Sequence, residues 1–184
     1  MNPDTAARRA WERLGLASRQ HLLLRAVAGL AGLLFLGLVV WAGGGYHPLF
    51  SLVLAGLVAV VVLVPDSGAP LFLMLGLGGL WAVSVPETLS AWAVLAALDL
   101  LVLHLACTLA SYGPPQVVLD RALFLLWAGR ASLMAAAAVL VWLGGRFLGA
   151  FDLPATGLVT AAALAVLIGW TVLLMRRLVT RDGA

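Results

Sequence analysis

The chain has 184 residues and a formal net charge of +3, with 64% hydrophobic and only 10% charged residues. An ordinary soluble domain has about a quarter charged residues, so this composition excludes a water-soluble globular domain. Together with a mean hydropathy of +1.10, it predicts an all-α integral membrane protein whose solvent is the lipid bilayer.

The basic excess does not indicate a nucleic-acid-binding protein. All 11 basic residues are Arg, and no interleaving of basic and aromatic residues accompanies them. Membrane proteins concentrate such residues at the cytoplasmic ends of their spans. The lack of Lys and the abundance of Ala, Gly, Leu and Val are typical of a high-GC genome, which favours a bacterial plasma membrane.

Six segments approach the length of about 20 apolar residues that a helix needs to cross a bilayer. They cover residues 22–42, 48–64, 70–85, 88–111, 122–143 and 155–175. We expect a compact bundle of six transmembrane helices at residues 22–175. A basic segment at residues 1–21 precedes it, either as an interfacial helix or as a solvated tail, and a short basic tail follows at residues 176–184.

Glycine and proline punctuate the spans. The glycines at 43–45, the PDSGAP turn at 65–70 and the Val85-Pro86 pair each favour the end of a helix. Spans two and three are short, which predicts a slightly submerged hairpin, with a re-entrant pair as the alternative. A W-x-G-G motif occurs at residues 41–44 and again at 142–145, and we expect it to end spans one and five.

The arginines orient the bundle. Most of them precede the first span or follow the last, so an even number of spans places both termini in the cytoplasm. These residues are Arg8, Arg9, Arg13, Arg19 and Arg25 before span one, and Arg176, Arg177 and Arg181 after span six. Four tryptophans then fall at the outer ends of spans, where indole rings favour the interface: Trp41, Trp81, Trp92 and Trp142.

Asp99 is the most unusual residue of the chain, because it lies near the middle of the apolar segment 88–111. An Asp at a helix centre costs roughly 2.5–3.5 kcal/mol on insertion scales, so it should face protein or water rather than lipid. At a rise of about 1.5 Å per residue, Arg130 of a continuous fifth span reaches the depth of Asp99 and His104. We therefore expect a polar cluster of these three residues. In the alternative, residues 116–129 form an interfacial helix and Arg130 lies at the cytoplasmic headgroups.

His104 and Thr108 share a stripe along the fourth span, since residues four apart lie on one helix face. Asp99 is turned by about 140 degrees from His104. In one interpretation these polar side chains hold neighbouring helices together. In the other, Asp99, His104, Thr108 and Arg130 line a substrate or proton path. No second His lies near His47 in the sequence, and we expect no metal and no cofactor.

The sequence contains no H-E-x-x-H, no G-x-S-x-G and no phosphate-binding loop, so we assign no catalytic residue and do not expect an enzyme. A small transporter is one alternative, because six short spans resemble in size the substrate-binding components of energy-coupling vitamin transporters. The interpretation we favour is a non-catalytic membrane subunit or scaffold. It would bind other membrane or cytoplasmic proteins through its spans and its Arg-rich ends, and contacts with further copies of the chain stay open.

Residues 103–130, LHLACTLASYGPPQVVLDRALFLLWAGR, carry one resemblance. The segment resembles small multi-span actinobacterial membrane proteins of unassigned function, some of which are encoded beside MoxR-type ATPases. It covers at most about a sixth of the chain. The resemblance implies a multi-span membrane protein with a cytoplasmic ATPase-associated partner, and it transfers no site residue.

Overall fold

The structure, a computed structural model, describes residues 18–45, 47–87, 90–112 and 120–149. These residues form five α-helices and no strand: α1 (Arg19–Trp41), α2 (Pro48–Leu63), α3 (Ala69–Ser84), α4 (Ala91–Ala110) and α5 (Arg121–Gly149). The all-α class is thereby confirmed, and the helices correspond to the first five predicted spans. The sixth predicted span and both terminal segments, apart from residues 18–21, lie outside the described residues. Three of the helices, α1, α4 and α5, are long and apolar enough to cross a membrane.

The chain divides into two compact units, Met1–Ala138 and Val139–Ala184. The described part of the first unit holds α1 to α4 and the first 18 residues of α5. In the second unit, the described residues are the last turns of α5. There the Arg146 guanidinium lies over the Trp142 ring at 5.4 Å from its centroid.

The two W-x-G-G motifs behave differently. The first one ends α1 at Trp41, and Gly43 follows with a φ of 76°, a left-handed conformation that glycine adopts without strain. The second one lies inside α5, which continues to Gly149. The expectation that residues 142–145 end the fifth span is therefore wrong. Glycine permits a helix to end but does not force it, because its N–H can still bond the carbonyl of the preceding turn.

Helices α1 to α4 run antiparallel to their sequence neighbours. The end of α1 meets the start of α4, where the Trp41 and Trp92 ring centroids are 6.5 Å apart. At the opposite end, Arg25 in the second turn of α1 donates from Nη1 to the Leu63 carbonyl, the last residue of α2, at 3.3 Å. Since α2 thus extends from the end of α1 back to Arg25, the α2–α3 hairpin runs along most of α1. This extent favours the predicted hairpin over a shallow re-entrant pair.

Small residues allow these helices to approach closely. A Cβ atom on Gly32 of α1 would lie 2.7 Å from Val58 Cγ2 of α2, closer than real side chains pack. The apolar core around this crossing draws on all four helices and includes Phe35, Val39, Leu54, Val58, Leu73, Leu77, Leu80, Ala96, Leu103 and Ala106. Among the described residues, none of α5 belongs to this core. The first four helices therefore form one packed body around α1.

Candidate functional site in the interior of the bundle

Asp99 lies on the buried face of α4, as the sequence predicts for an acid in an apolar helix. Only 8% of its surface is exposed. Leu103 and Ala106 follow it at helical spacing on the same face, and both belong to the core. Its Oδ2 atom has no hydrogen-bond partner among the described residues. A buried polar atom without a partner costs about 1–3 kcal/mol, and no described residue offsets this cost for Oδ2.

The other residues of the predicted cluster lie elsewhere. His104 is exposed on α4, and Thr108 donates from Oγ1 to the His104 carbonyl at 2.8 Å. Thr108 therefore bonds its own helix, as Ser and Thr in apolar helices commonly do. The helical phase inferred from the sequence agrees with this placement, since it turns His104 away from Asp99.

Arg130 lies in the interior of α5, which is one continuous helix at this point. Its exposed guanidinium stacks over the Trp127 ring at 5.5 Å from the centroid, and Trp127 in turn packs edge-on against Tyr112 at 6.4 Å. No ion pair joins Arg130 to Asp99 in the described part of the chain. The structure thus separates the predicted cluster into a buried Asp99 and two exposed partners.

His21 and Arg25 are the buried polar residues that the sequence analysis did not single out. They lie one turn apart on the inner face of α1, with His21 0% and Arg25 6% exposed. Both ring nitrogens of His21 lack a hydrogen-bond partner among the described residues. Arg25 bonds the Leu63 carbonyl, so its positive charge lies at the carboxyl end of α2, where the helix dipole favours it.

Arg25 lies inside α1 and inside the predicted first span, residues 22–42, although the orientation inferred from the sequence places it among the arginines that precede that span. Helical phase was the signal that could have shown this. His21, Arg25, Ala28, Gly32, Phe35 and Val39 recur at intervals of three or four and are all buried. The positions of the arginines in the sequence do not reveal the burial of Arg25, because they carry no information on which face of the helix a residue lies.

The buried polar groups occupy two levels of the bundle. The contact between Trp41 and Trp92 places the end of α1 and the start of α4 at the same depth in the bundle. From that depth, Asp99 lies seven residues further along α4, and Arg25 lies sixteen residues back along α1. At about 1.5 Å per residue, the two differ in depth by about 14 Å. Asp99 and Arg25 therefore do not form an ion pair, and the interior holds an acid at mid-depth and a His-Arg pair near one end.

Metal chemistry finds no support in the described residues, which contain no group of three or more His, Cys, Asp or Glu side chains able to hold a metal ion. Cys107 is a free thiol that is buried within the core. Besides this thiol, the described interior thus holds three ionisable side chains, His21, Arg25 and Asp99. No family model matches the chain, and neither a curated protein nor a solved structure matches it.

Proposed function

We propose that this chain is a non-catalytic, multi-pass subunit of a bacterial plasma membrane, which holds partner proteins through its spans and its Arg-rich cytoplasmic ends. Its six spans place both termini in the cytoplasm. Support comes from the three helices long enough to cross a bilayer and from the antiparallel order of α1 to α4. A partner at the spans would itself be a membrane protein, whereas the cytoplasmic ATPase-associated protein expected from the resemblance would bind the Arg-rich ends.

The observation that carries this proposal is the surface of α5. No side chain described in α5 is fully buried. In the part of α5 that belongs to the first unit of the chain, large apolar side chains are exposed: Leu125 at 58%, Leu126 at 51% and Leu133 at 58%. Among the described residues, α5 adds nothing to the core of the bundle, and a long apolar helix of this kind is suited to pack against another protein.

Polar chemistry on α5 also fits an anchoring role. The Arg130 guanidinium stacks on the Trp127 ring, and Ser132 donates from Oγ to the Ala128 carbonyl of its own helix at 2.9 Å. Other exposed positions of α5 carry small and apolar residues, among them Gly129 and Ala136. Helix pairs in membranes associate through such surfaces, because small residues let backbones approach.

Site-directed photo-cross-linking tests the proposal in native membranes. The chain has one cysteine, Cys107, so a Cys107→Ala background allows single cysteines at Leu133 and Ala136 of α5. Matched controls are cysteines at Leu30 of α1 and Leu52 of α2, which are 67% and 70% exposed. With a thiol-linked photoreactive group, we expect adducts to one defined partner from the α5 positions only.

Equal adduct yields from α5 and from the control helices would contradict the proposal, as would lipid adducts alone at every position. Oxidative disulfide formation separates two kinds of partner. A dimer of the full chain linked through Ala136→Cys would show that the partner is a second copy. An adduct of different mass would identify a distinct subunit.

A small transporter is the second candidate, and the unpartnered Oδ2 of buried Asp99 favours it. Intramembrane acids without partners commonly carry protons or substrates. In this case Asp99→Asn should lower uptake or proton coupling at least about tenfold while the yield and size of the purified protein stay unchanged. Asp66→Asn, an exposed acid in the α2–α3 turn, is the control. Unchanged transport in Asp99→Asn would remove this candidate.

A further inference from the structure

A groove opens between the first turns of α1 and α5. It has a volume of about 470 Å³ and is lined by Gln20, Leu23 and Leu24 of α1 and by Arg121 and Phe124 of α5. This volume lies within the range of roughly 300–1,000 Å³ that is typical of ligand sites. All five residues belong to the first unit of the chain.

The groove is lined by both charged and apolar side chains. Arg121 is exposed and provides a cation, and Gln20 also lines the groove. Leu23 and Phe124, which are 65% and 52% exposed, provide an apolar wall. A cation beside an apolar wall matches a molecule with an anionic head and a hydrocarbon tail.

The charges around the mouth favour an anion. Arg19 is exposed one residue before Gln20 and adds a second cation at this end. Asp120, the acid next to Arg121 in sequence, is exposed, and its Oδ1 accepts the Ala122 N–H at 3.2 Å. Neither Asp120 nor Asp66 lines the groove. The groove lining therefore carries one cation and no acid, which suits a phosphate group.

We propose that this groove binds an anionic phospholipid. Arg121 holds the headgroup phosphate, while one acyl chain lies along Leu23 and Phe124. The groove is at the end of α1 and α5 where the arginines concentrate, which is the level of the headgroups in a membrane whose inner leaflet is anionic. The site is independent of the partner proposed for the outward surface of α5.

Native mass spectrometry of the full chain tests the site. The delipidated protein is titrated with phosphatidylglycerol and with phosphatidylcholine of the same acyl chains. We expect preferential binding of phosphatidylglycerol, weakened about fivefold in Arg121→Gln, because one Arg near a membrane surface contributes about that factor. Arg146→Gln is the matched control, since it removes the same charge from a residue that stacks on Trp142. It should bind as the wild type does.

A second variant tests the apolar wall without changing charge. Leu23→Trp fills the groove from an exposed position, and it should lower phosphatidylglycerol binding while the helical content stays the same. Glycerophosphate, which has the headgroup chemistry but no acyl chain, should not bind measurably. Three results would each overturn the proposal: equal binding of both lipids, equal loss in Arg121→Gln and Arg146→Gln, or unchanged binding in Leu23→Trp.

Discussion

At the scale of single residues, Arg25 shows how a cation can be structural inside a hydrophobic helix. Its guanidinium is buried and bonds the Leu63 carbonyl at the end of α2. Arg25→Ala removes this charge-assisted bond and leaves a cavity, so we expect it to lower the free energy of unfolding in micelles by about 2 kcal/mol or more. Arg19→Ala removes the same charge from an exposed position of the same helix. It should change the free energy of unfolding by less than about 0.5 kcal/mol, and an equal effect of both changes would contradict this role of Arg25.

Asp99 and His104 show what the sequence could and could not predict about single residues. The cost of an acid in an apolar helix predicts that Asp99 is buried, and it is. Helical phase alone turns His104 away from it, and His104 is exposed. The neighbours of Asp99 depend on which helix packs against α4. In the structure that helix is α1, and the sequence pattern does not specify this pairing.

At the scale of helices, the α1–α2 crossing depends on the absence of a side chain. A Cβ atom at position 32 would lie 2.7 Å from Val58 Cγ2, whereas one at Gly37 meets nothing within 4 Å. Gly32→Ala should therefore lower the free energy of unfolding by about 1–3 kcal/mol, because branched Val58 has few alternative rotamers. Gly37→Ala should raise it by up to about 1 kcal/mol, since Ala favours the helix. Parallel unfolding curves in the same micelles check the difference, and a stabilised Gly32→Ala would show that the crossing is looser.

The boundaries of the helices could be predicted from the sequence where proline and glycine determine them. The start of α2 beside Pro48 and the turn at residues 64–68 follow from proline and glycine, and the structure places them there. The continuation of α5 through Gly144 and Gly145 was not predictable in this way. Glycine has the same local preference in both W-x-G-G motifs. What differs between them is the rest of the chain, because α1 must turn at Gly43 to let α2 pack back on it.

At the scale of the whole molecule, the antiparallel order of α1 to α4 predicts which loops share a membrane face. In the Cys107→Ala background, a cysteine at Asp66 between α2 and α3 should react with a membrane-impermeant thiol reagent from the same side as one at Ser111, after α4. A cysteine at Glu87, after α3, should react only from the opposite side. All three positions are exposed. Labelling of Asp66→Cys and Glu87→Cys from one side would contradict the transmembrane order.

The central claim is that this chain is a subunit whose α5 surface holds a partner. The mass of the particle purified from its own membranes in mild detergent tests it most directly, because the chain alone has a mass of 19.2 kDa. We predict a larger particle of fixed stoichiometry that contains a second defined protein and that is lost when Leu133 is changed to Arg. A 19.2 kDa monomer that binds a small molecule and no protein would contradict the account.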